Sequence, residues 1–302
     1  MTSLTHLAGC DRIVFWRGGT NLDSFRHIWR AYHDTARKLG YNTVWIKDGD
    51  RGDLLPGDLV FAIDIWADDL PIRPGVHYVL HNLSGSHRVF SEVEPERILR
   101  LQVWTHDAVG EQWAPFRQYS REGRILFQPW GTDLLAEEFL EPVYNPQSRD
   151  VAFVGAVWSD IRGGVDLGNG TLIADLKAAC GEHGLRFHHR TQISDAENIA
   201  TVRDARLAPA LSGEWQVAHA YLSCRAFKNV SYGALGMTNV PELQDLLGMA
   251  RERGTGLLLA SALGMRRAEY IERVREQQRI VGQHFTYRES LAAVGRALEE
   301  GR

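Results

Sequence analysis

Cysteine is scarce in this chain. Cys10, Cys180 and Cys224 are the three present in 302 residues, far apart and odd in number, with no CxxC pair and no Cys/His ligand spacing. That excludes a disulfide framework and a clustered metal site, and it leads us to expect reduced thiols and a cytoplasmic location. Long apolar runs are missing as well. No window approaches the roughly 18 consecutive apolar residues of a spanning helix, so no transmembrane segment is expected, while a peripheral membrane contact stays open. The opening "MTSLTHLAGCDR" lacks a basic start and an apolar stretch, so no secretory signal is expected. Neither sign of charge dominates: 34 Lys and Arg stand against 38 Asp and Glu, a net charge of −4. There is no global basic footprint, and nucleic acid is not an expected partner. The glycine fingerprints of phosphate binding are also absent. "RGGTN" (17–21) is not GxGxxG, and no GxxxxGK[ST] occurs, which removes the main support for a dinucleotide oxidoreductase, an epimerase or a P-loop NTPase.

What the chain does have is ordinary core material, 44% hydrophobic and 24% charged, with nine tryptophans. Short apolar runs alternate with amphipathic segments. "RIVFW" (12–16) reads as a strand, followed by the turn at Gly18 and Gly19. A helix follows in which Phe25, Ile28, Trp29, Tyr32 and Ala36 recur at helical spacing, with Gly40 ending it. Further strands are expected at 42–47, 58–63, 77–81, 100–105 and 124–128. The polar stretch "EPVYNPQSRD" reads as a linker, after which the pattern restarts at "DVAFVGA" (150–156). Strands at 185–190, 205–211 ("ARLAPAL") and 234–238 ("ALGMT") alternate with helices at 171–184, near 195–203 and around 223–232, and two helices finish the chain. Apolar strands separated by helices imply a parallel sheet covered on both faces. The expected fold is therefore α/β, with two Rossmann-like doubly wound domains facing a cleft. The first spans 1–145, the second 150–275, and the terminal helices 276–302 are free to cross back to the first.

The densest chemical signal is "CRAFKNVSYGALGMTN" (224–239). Ser223 is a candidate N-cap, and the free N–H groups of the turn it opens favour an anion. Arg225 offers a forked pair of donors, and Lys228, three residues on, shares its face. Gly233 ends the helix, and the strand that follows delivers Thr238 and Asn239 to its carboxyl end. The spacing fits a diphosphate site; a solvated helix face with two cations fits it too. Gly18, Gly19 and Asn21 close a strand-to-helix turn, either to let substrate approach the backbone or only to make the turn tight.

The stretch "YLSCRAFKNVSYGALGMTN", with "PELQDLL" and the later "GQHFTYRESL", resembles the C-terminal half of GT-B-fold glycosyltransferases. Its nearest likeness is to the bacterial single-chain group related to the spore-maturation CgeB-like and glycosyl transferase group 1-like families. There, a helix reading R-x-F-E-x-x-x-x-G leads into a strand ending in Thr. "FVGAVW" (153–158) resembles the opening strand and glycine loop of the same domain, and "LFQPWGTDLL" (126–135) the approach between domains. The resemblance implies that Arg225 holds the donor diphosphate, that Gly155 allows close approach, and that Thr238 and Asn239 line the donor pocket. Where these families carry a glutamate for the ribose hydroxyls, this chain has Lys228, expected here as a second phosphate ligand.

Such an enzyme stabilises a departing diphosphate with cations and helix dipoles, and no bound metal or other cofactor is expected beyond the nucleotide-sugar co-substrate. "ADDL" (67–70) and "DGDRGD" (48–53) read as polar turns. A base for the acceptor hydroxyl is sought at strand ends: His81 with Asn82 first, His106 second, and Asp64. An Asp in such a place is also an ordinary helix cap, and a lone His an ordinary core group. Arg190 and Thr191 are candidates for the base or ribose of the nucleotide, and Gln216 for the donor sugar. The expected partners are a nucleotide-sugar donor and a glycan, lipid-linked or small-molecule acceptor. The alternative is a non-catalytic GT-B-like binding protein, which Lys228 in the glutamate position favours.

Overall fold

The computed structural model describes residues 7–17, 24–47, 49–50, 52–63, 69–81, 89, 92–102 and 125–300. The chain divides into two units, Met1–Asp133 with Tyr287–Arg302, and Leu134–Thr286.

In the first unit, β1 (Arg12–Trp16), β2 (Thr43–Ile46), β3 (Asp58–Ile63), β4 (His77–His81), β5 (Ile98–Gln102) and β6 (Ile125–Phe127) form one parallel sheet in the order β2-β1-β3-β4-β5-β6. Every residue of β3 is buried, as expected for a strand covered on both faces. On one face Val14, Trp16, Val60, Ala62, Tyr78 and Leu80 form a core with Leu54, Leu70 and Val76. On the other, Phe15 and Phe61 stack at 5.5 Å beneath α1 (Ser24–Lys38). The helical spacing in α1 buries Ile28, Trp29, Tyr32 and Ala36. The last helix, α9 (Tyr287–Glu300), belongs to this unit, and its Tyr287 ring lies 4.5 Å from that of Tyr32. The strand expected at 100–105 begins earlier, at Ile98, in register with Tyr78.

The second unit opens with β7 (Asp150–Val154), which pairs in parallel with β10 (Arg186–Arg190). Between them come the hairpin β8 (Ile161–Arg162) and β9 (Val165–Asp166) and then α2 (Gly170–Glu182). After β10 follow α3 (Asp195–Asp204), α4 (Glu214–Ala218), α5 (Cys224–Ser231), α6 (Pro241–Leu246), α7 (Thr255–Gly264) and α8 (Arg267–His284). Helices α2 and α7 cover one face, with Ile173, Leu176, Leu258 and Leu259 against Val151 and Phe153. Helices α5 and α8 supply another core, where Phe227 and Phe285 stack at 4.3 Å.

Two strands expected from the sequence are not ladders. Residues 205–211 make an isolated bridge, Val151 to Leu207, and Ala210 N–H reaches Met237 O at 2.8 Å. The segment 234–238 runs alongside without strand pairing, because side chains of α8 take its backbone groups. Leu235 N–H donates to the Tyr270 hydroxyl at 3.1 Å and Gly236 N–H to Gln277 Oε1 at 2.8 Å. Pro209, with no N–H, removes another ladder bond. The order across the unit is thus β10, β7, the 206–211 segment and the 235–238 segment.

The boundary expected near 145–150 also moves. Leu134 onward belongs with the second unit, because Leu140 N–H donates to Ser231 O and Val143 N–H to Gly233 O, both at 2.9 Å. The terminal helices separate at Thr286/Tyr287 and not at 276. Among the described residues no helix is long and apolar enough to cross a membrane.

Gln277 is fully buried, and its Nε2 donates to Leu247 O at 3.1 Å while its Oε1 serves Gly236. Replacing it by leucine leaves both backbone groups unsatisfied. Gln277→Leu is expected to lower the stability of the chain by about 2–4 kcal/mol in urea unfolding.

Candidate anion site at the carboxyl ends of the second unit

Arg225 lies in the first turn of α5, and the turn is built as the sequence suggests. Ser223 is the N-cap and its Oγ accepts Arg225 N–H at 3.3 Å. At the other end Gly233 takes φ +87°, and a Cβ there would come within 2.3 Å of Glu141 O, so only glycine fits. The half-buried Arg225 side chain turns toward the carboxyl ends of the sheet. Its Nη1 donates to Leu211 O at 3.2 Å, and its guanidinium carbon sits 4.4 Å from the centre of the Phe153 ring. At Gly155, the residue after β7, an added Cβ would fall 2.1 Å from Arg225 Nη2. The glycine's φ of +145° and the guanidinium lying against it both demand a missing side chain.

This arrangement fills a particular place. The strand order runs from β7 to β10 on one side and to the 206–211 segment on the other. The chain's connections therefore diverge between β7 and that segment, at the position where open parallel sheets bind ligands. Gly155 follows the first and Leu211 ends the second, and the guanidinium of Arg225 lies between them. Of its five N–H donors, one meets a backbone carbonyl. Among the described residues no carboxylate forms an ion pair with it. Desolvation lowers its pKa from the usual value, so the burial of this charge is incompletely offset. An anion supplied from outside would satisfy both the remaining donors and the charge.

The loop after Gly155 is held in one shape. Asp166 accepts the N–H groups of Asp160, Gly168 and Thr171 at 3.0–3.1 Å and the hydroxyls of Ser159 and Thr171. Burial works to raise its pKa, but these bonds hold the carboxyl at about 2. Asn169 Oδ1 accepts Trp158 N–H, and its Nδ2 donates to Ala156 O. The sequence offered little to single out Asp166, Phe153 or the Leu211 carbonyl: the first sits in a glycine-rich turn, the second in an apolar strand, and the third is backbone.

Other predicted donor-side residues have structural duties. Asn239 exchanges two bonds of 2.8 Å with the backbone of Ser212, pinning the ends of the two extended segments together. Thr238 is fully buried and its Oγ1 accepts Val240 N–H. The expectation that both line a pocket gives way to this role, because the failed ladder leaves the two segments needing another tie. Gln216 Oε1 accepts Gly213 N–H at the start of α4. Lys228 is buried in α5, 9% exposed, and not on a solvated face. Arg190 is exposed at the end of β10, with its carbonyl accepting Gly155 N–H at 2.9 Å, and Thr191 follows it, also exposed.

In the first unit, Gly18, Gly19, Asn21, Asp64, Asn82 and His106 lie outside the described residues. His81 is described and is a core group. It is 1% exposed, with the rings of Trp29, Tyr32, Phe61 and Trp130 around it. Its Nδ1 accepts Trp130 Nε1–H at 3.1 Å, so the neutral ring carries its proton on Nε2, and no partner for that atom is found among the described residues. Burial pushes its pKa down to about 3. Neither nitrogen offers a lone pair to a substrate, which corrects the assignment of His81 as first-choice base.

The sequence matches no protein-family model, and no curated protein matches it. Solved structures do resemble the fold. An alpha-glucosyltransferase in complex with UDP and a 13-mer DNA containing an HMU base superposes with a TM-score of 0.59 at 10% identity, over 95% of this chain and 100% of that one. A glycosyltransferase from Rickettsia africae ESF-5 gives 0.56 at 9% identity, over 97% and 98%. The chain has the GT-B fold. At this identity the likeness concerns architecture, and no residue role is carried over from these GT-B neighbours.

The His81 pair predicts an acid effect. Below its ordinary pKa of 6.5 the unfolded chain takes up a proton that the folded core refuses. The stabilisation is complete above about pH 6.5 and is lost as pH falls toward 3, by about 1.4 kcal/mol per pH unit. Urea unfolding between pH 7 and 5 should show this slope in the wild type and a shallower one in His81→Gln, which still accepts the Trp130 N–H but does not titrate.

Proposed function

We propose that the chain is a glycosyltransferase that moves a sugar from a nucleoside-diphosphate sugar to an acceptor hydroxyl, with Arg225 and the first turn of α5 holding the diphosphate. One observation carries the reading: a half-buried guanidinium with no carboxylate partner among the described residues, pressed on Gly155 where the sheet's connections diverge. In transfer, the acceptor oxygen bonds the anomeric carbon and releases its proton, while the bond between that carbon and the diphosphate breaks and its electron pair leaves with the phosphate oxygen. A fixed cation at that oxygen lowers the barrier without reorganising. Among the structural neighbours, an alpha-glucosyltransferase is recorded with UDP and another structure with UDP-glucose and DNA, which makes a uridine donor the first to test. Within GT-B, the spacing from Arg225 to Gly233 favours the CgeB-like group. The net charge of −4 favours an acceptor other than nucleic acid. The three free cysteines fit a cytoplasmic site of action, and no metal is required by the reading.

Calorimetry with UDP, GDP, dTDP, CDP and NAD tests the donor half. One nucleoside diphosphate should bind, with affinity unchanged by EDTA. Arg225→Ala should weaken it by about 100-fold, the scale of two lost charge-assisted bonds, with the fold intact by circular dichroism. Gly155→Ala should weaken it as well, by displacing the guanidinium. Equal affinity in wild type and Arg225→Ala, or binding of NAD alone, would refute the assignment. Slow release of UDP from UDP-glucose separates a transferase from a binding protein that has lost turnover.

A further inference from the structure

The first unit has its own point of divergence, and an arginine stands there too. Its strand order places β1 between β2 and β3, so the connections part at the carboxyl ends of β1 and β3. Arg17 is the residue after β1, and Asp69 comes six residues after the end of β3. Their side chains form an ion pair across that gap. Asp69 Oδ1 also accepts Trp16 Nε1–H at 3.3 Å, and the Arg17 guanidinium lies 4.9 Å from the Trp16 ring centre. From the neighbouring strand, Trp45 Nε1 donates to Arg17 O at 2.9 Å, and Arg17 Nη1 reaches Lys47 O at 3.5 Å.

An ordinary surface ion pair does not account for this. Arg17 adopts φ +64°, a left-handed conformation that costs a non-glycine residue more than an exposed pair returns. Two indole N–H groups are spent on fastening it. The Asp69 carboxylate stays 55% exposed while the arginine is 20% exposed, so the pair presents acceptor lone pairs and guanidinium N–H groups side by side to whatever enters. Charge separates this site from that of Arg225. There the cation has no carboxylate counter-ion among the described residues and suits an anion; here it is already neutralised. A neutral ligand with adjacent hydroxyls, each both donor and acceptor, matches such a pair.

We propose that Arg17 and Asp69, with Trp16 and Trp45 behind them, form a carbohydrate-binding site at the carboxyl ends of β1 and β3, and that it receives a sugar acceptor. The site itself is argued from the first unit alone; its assignment to the acceptor rests on the transferase reading.

The test is saturation-transfer NMR on the full chain with methyl α-D-glucopyranoside and methyl β-D-galactopyranoside, alongside UDP calorimetry on the same samples. At least one glycoside should receive saturation from the wild type. Asp69→Asn and Arg17→Ala should weaken that binding by about tenfold, as for a lost hydrogen bond to a charged group, with UDP affinity unchanged. Where Arg17→Ala loosens the fold, Asp69→Asn, a near-isosteric change at an exposed side chain, still decides. Silence of both glycosides with the wild type, or equal binding by Asp69→Asn, overturns the proposal. So does quenching of tryptophan fluorescence by inorganic phosphate that disappears in Arg17→Ala, which would make this an anion site. Glycoside binding without any nucleotide binding would sustain this site while removing the donor reading.

Discussion

A buried or half-buried guanidinium must be answered by something, and in the second unit no carboxylate among the described residues answers Arg225. Arg225 is held by one carbonyl, one aromatic face and the absence of a side chain at Gly155. Everything nearby serves to keep that cation in place: Ser223 opens its helix, Gly233 closes it, and the loop from Gly155 to Gly170 is tied down by Asp166. Rigid placement of an incompletely satisfied charge is what an anion-binding site requires, because a mobile arginine would lose on ordering much of what it gained on binding.

The two units solve the same topological problem with opposite electrostatics. Each puts an arginine where its parallel strands send their connections apart. Arg17 is neutralised by Asp69, while Arg225 has no such partner among the described residues. In our reading this difference separates a site for a neutral polyhydroxyl ligand from a site for a diphosphate. The fold shared with known GT-B structures is compatible with both roles, but the chemistry is argued from these side chains alone.

Polar residues near strand ends divide sharply between chemistry and construction. His81, Thr238, Asn239 and Gln216 all sit where ligand-binding residues are sought, and all are committed to the protein's own backbone or core. The cause is local. Where a segment such as 234–238 runs without a ladder, its N–H and C=O groups still demand partners, and the nearest amides and hydroxyls provide them.

The sequence by itself determined the α/β class and most of the elements, and it marked Arg225 and Gly155 as candidates, because these readings depend on periodicity, capping residues and glycine, all of which act within a few residues of chain. It also marked the strand ends as the place to look. Only the tertiary structure decided which groups there are available. The burial of His81 under four aromatic rings, the exchange between Asn239 and Ser212, the role of Asp166 and the meeting of Arg17 with Asp69 join residues up to 52 positions apart. Whether a polar side chain is spent or free depends on the partners that folding brings to it, and spacing along the chain carries no record of those.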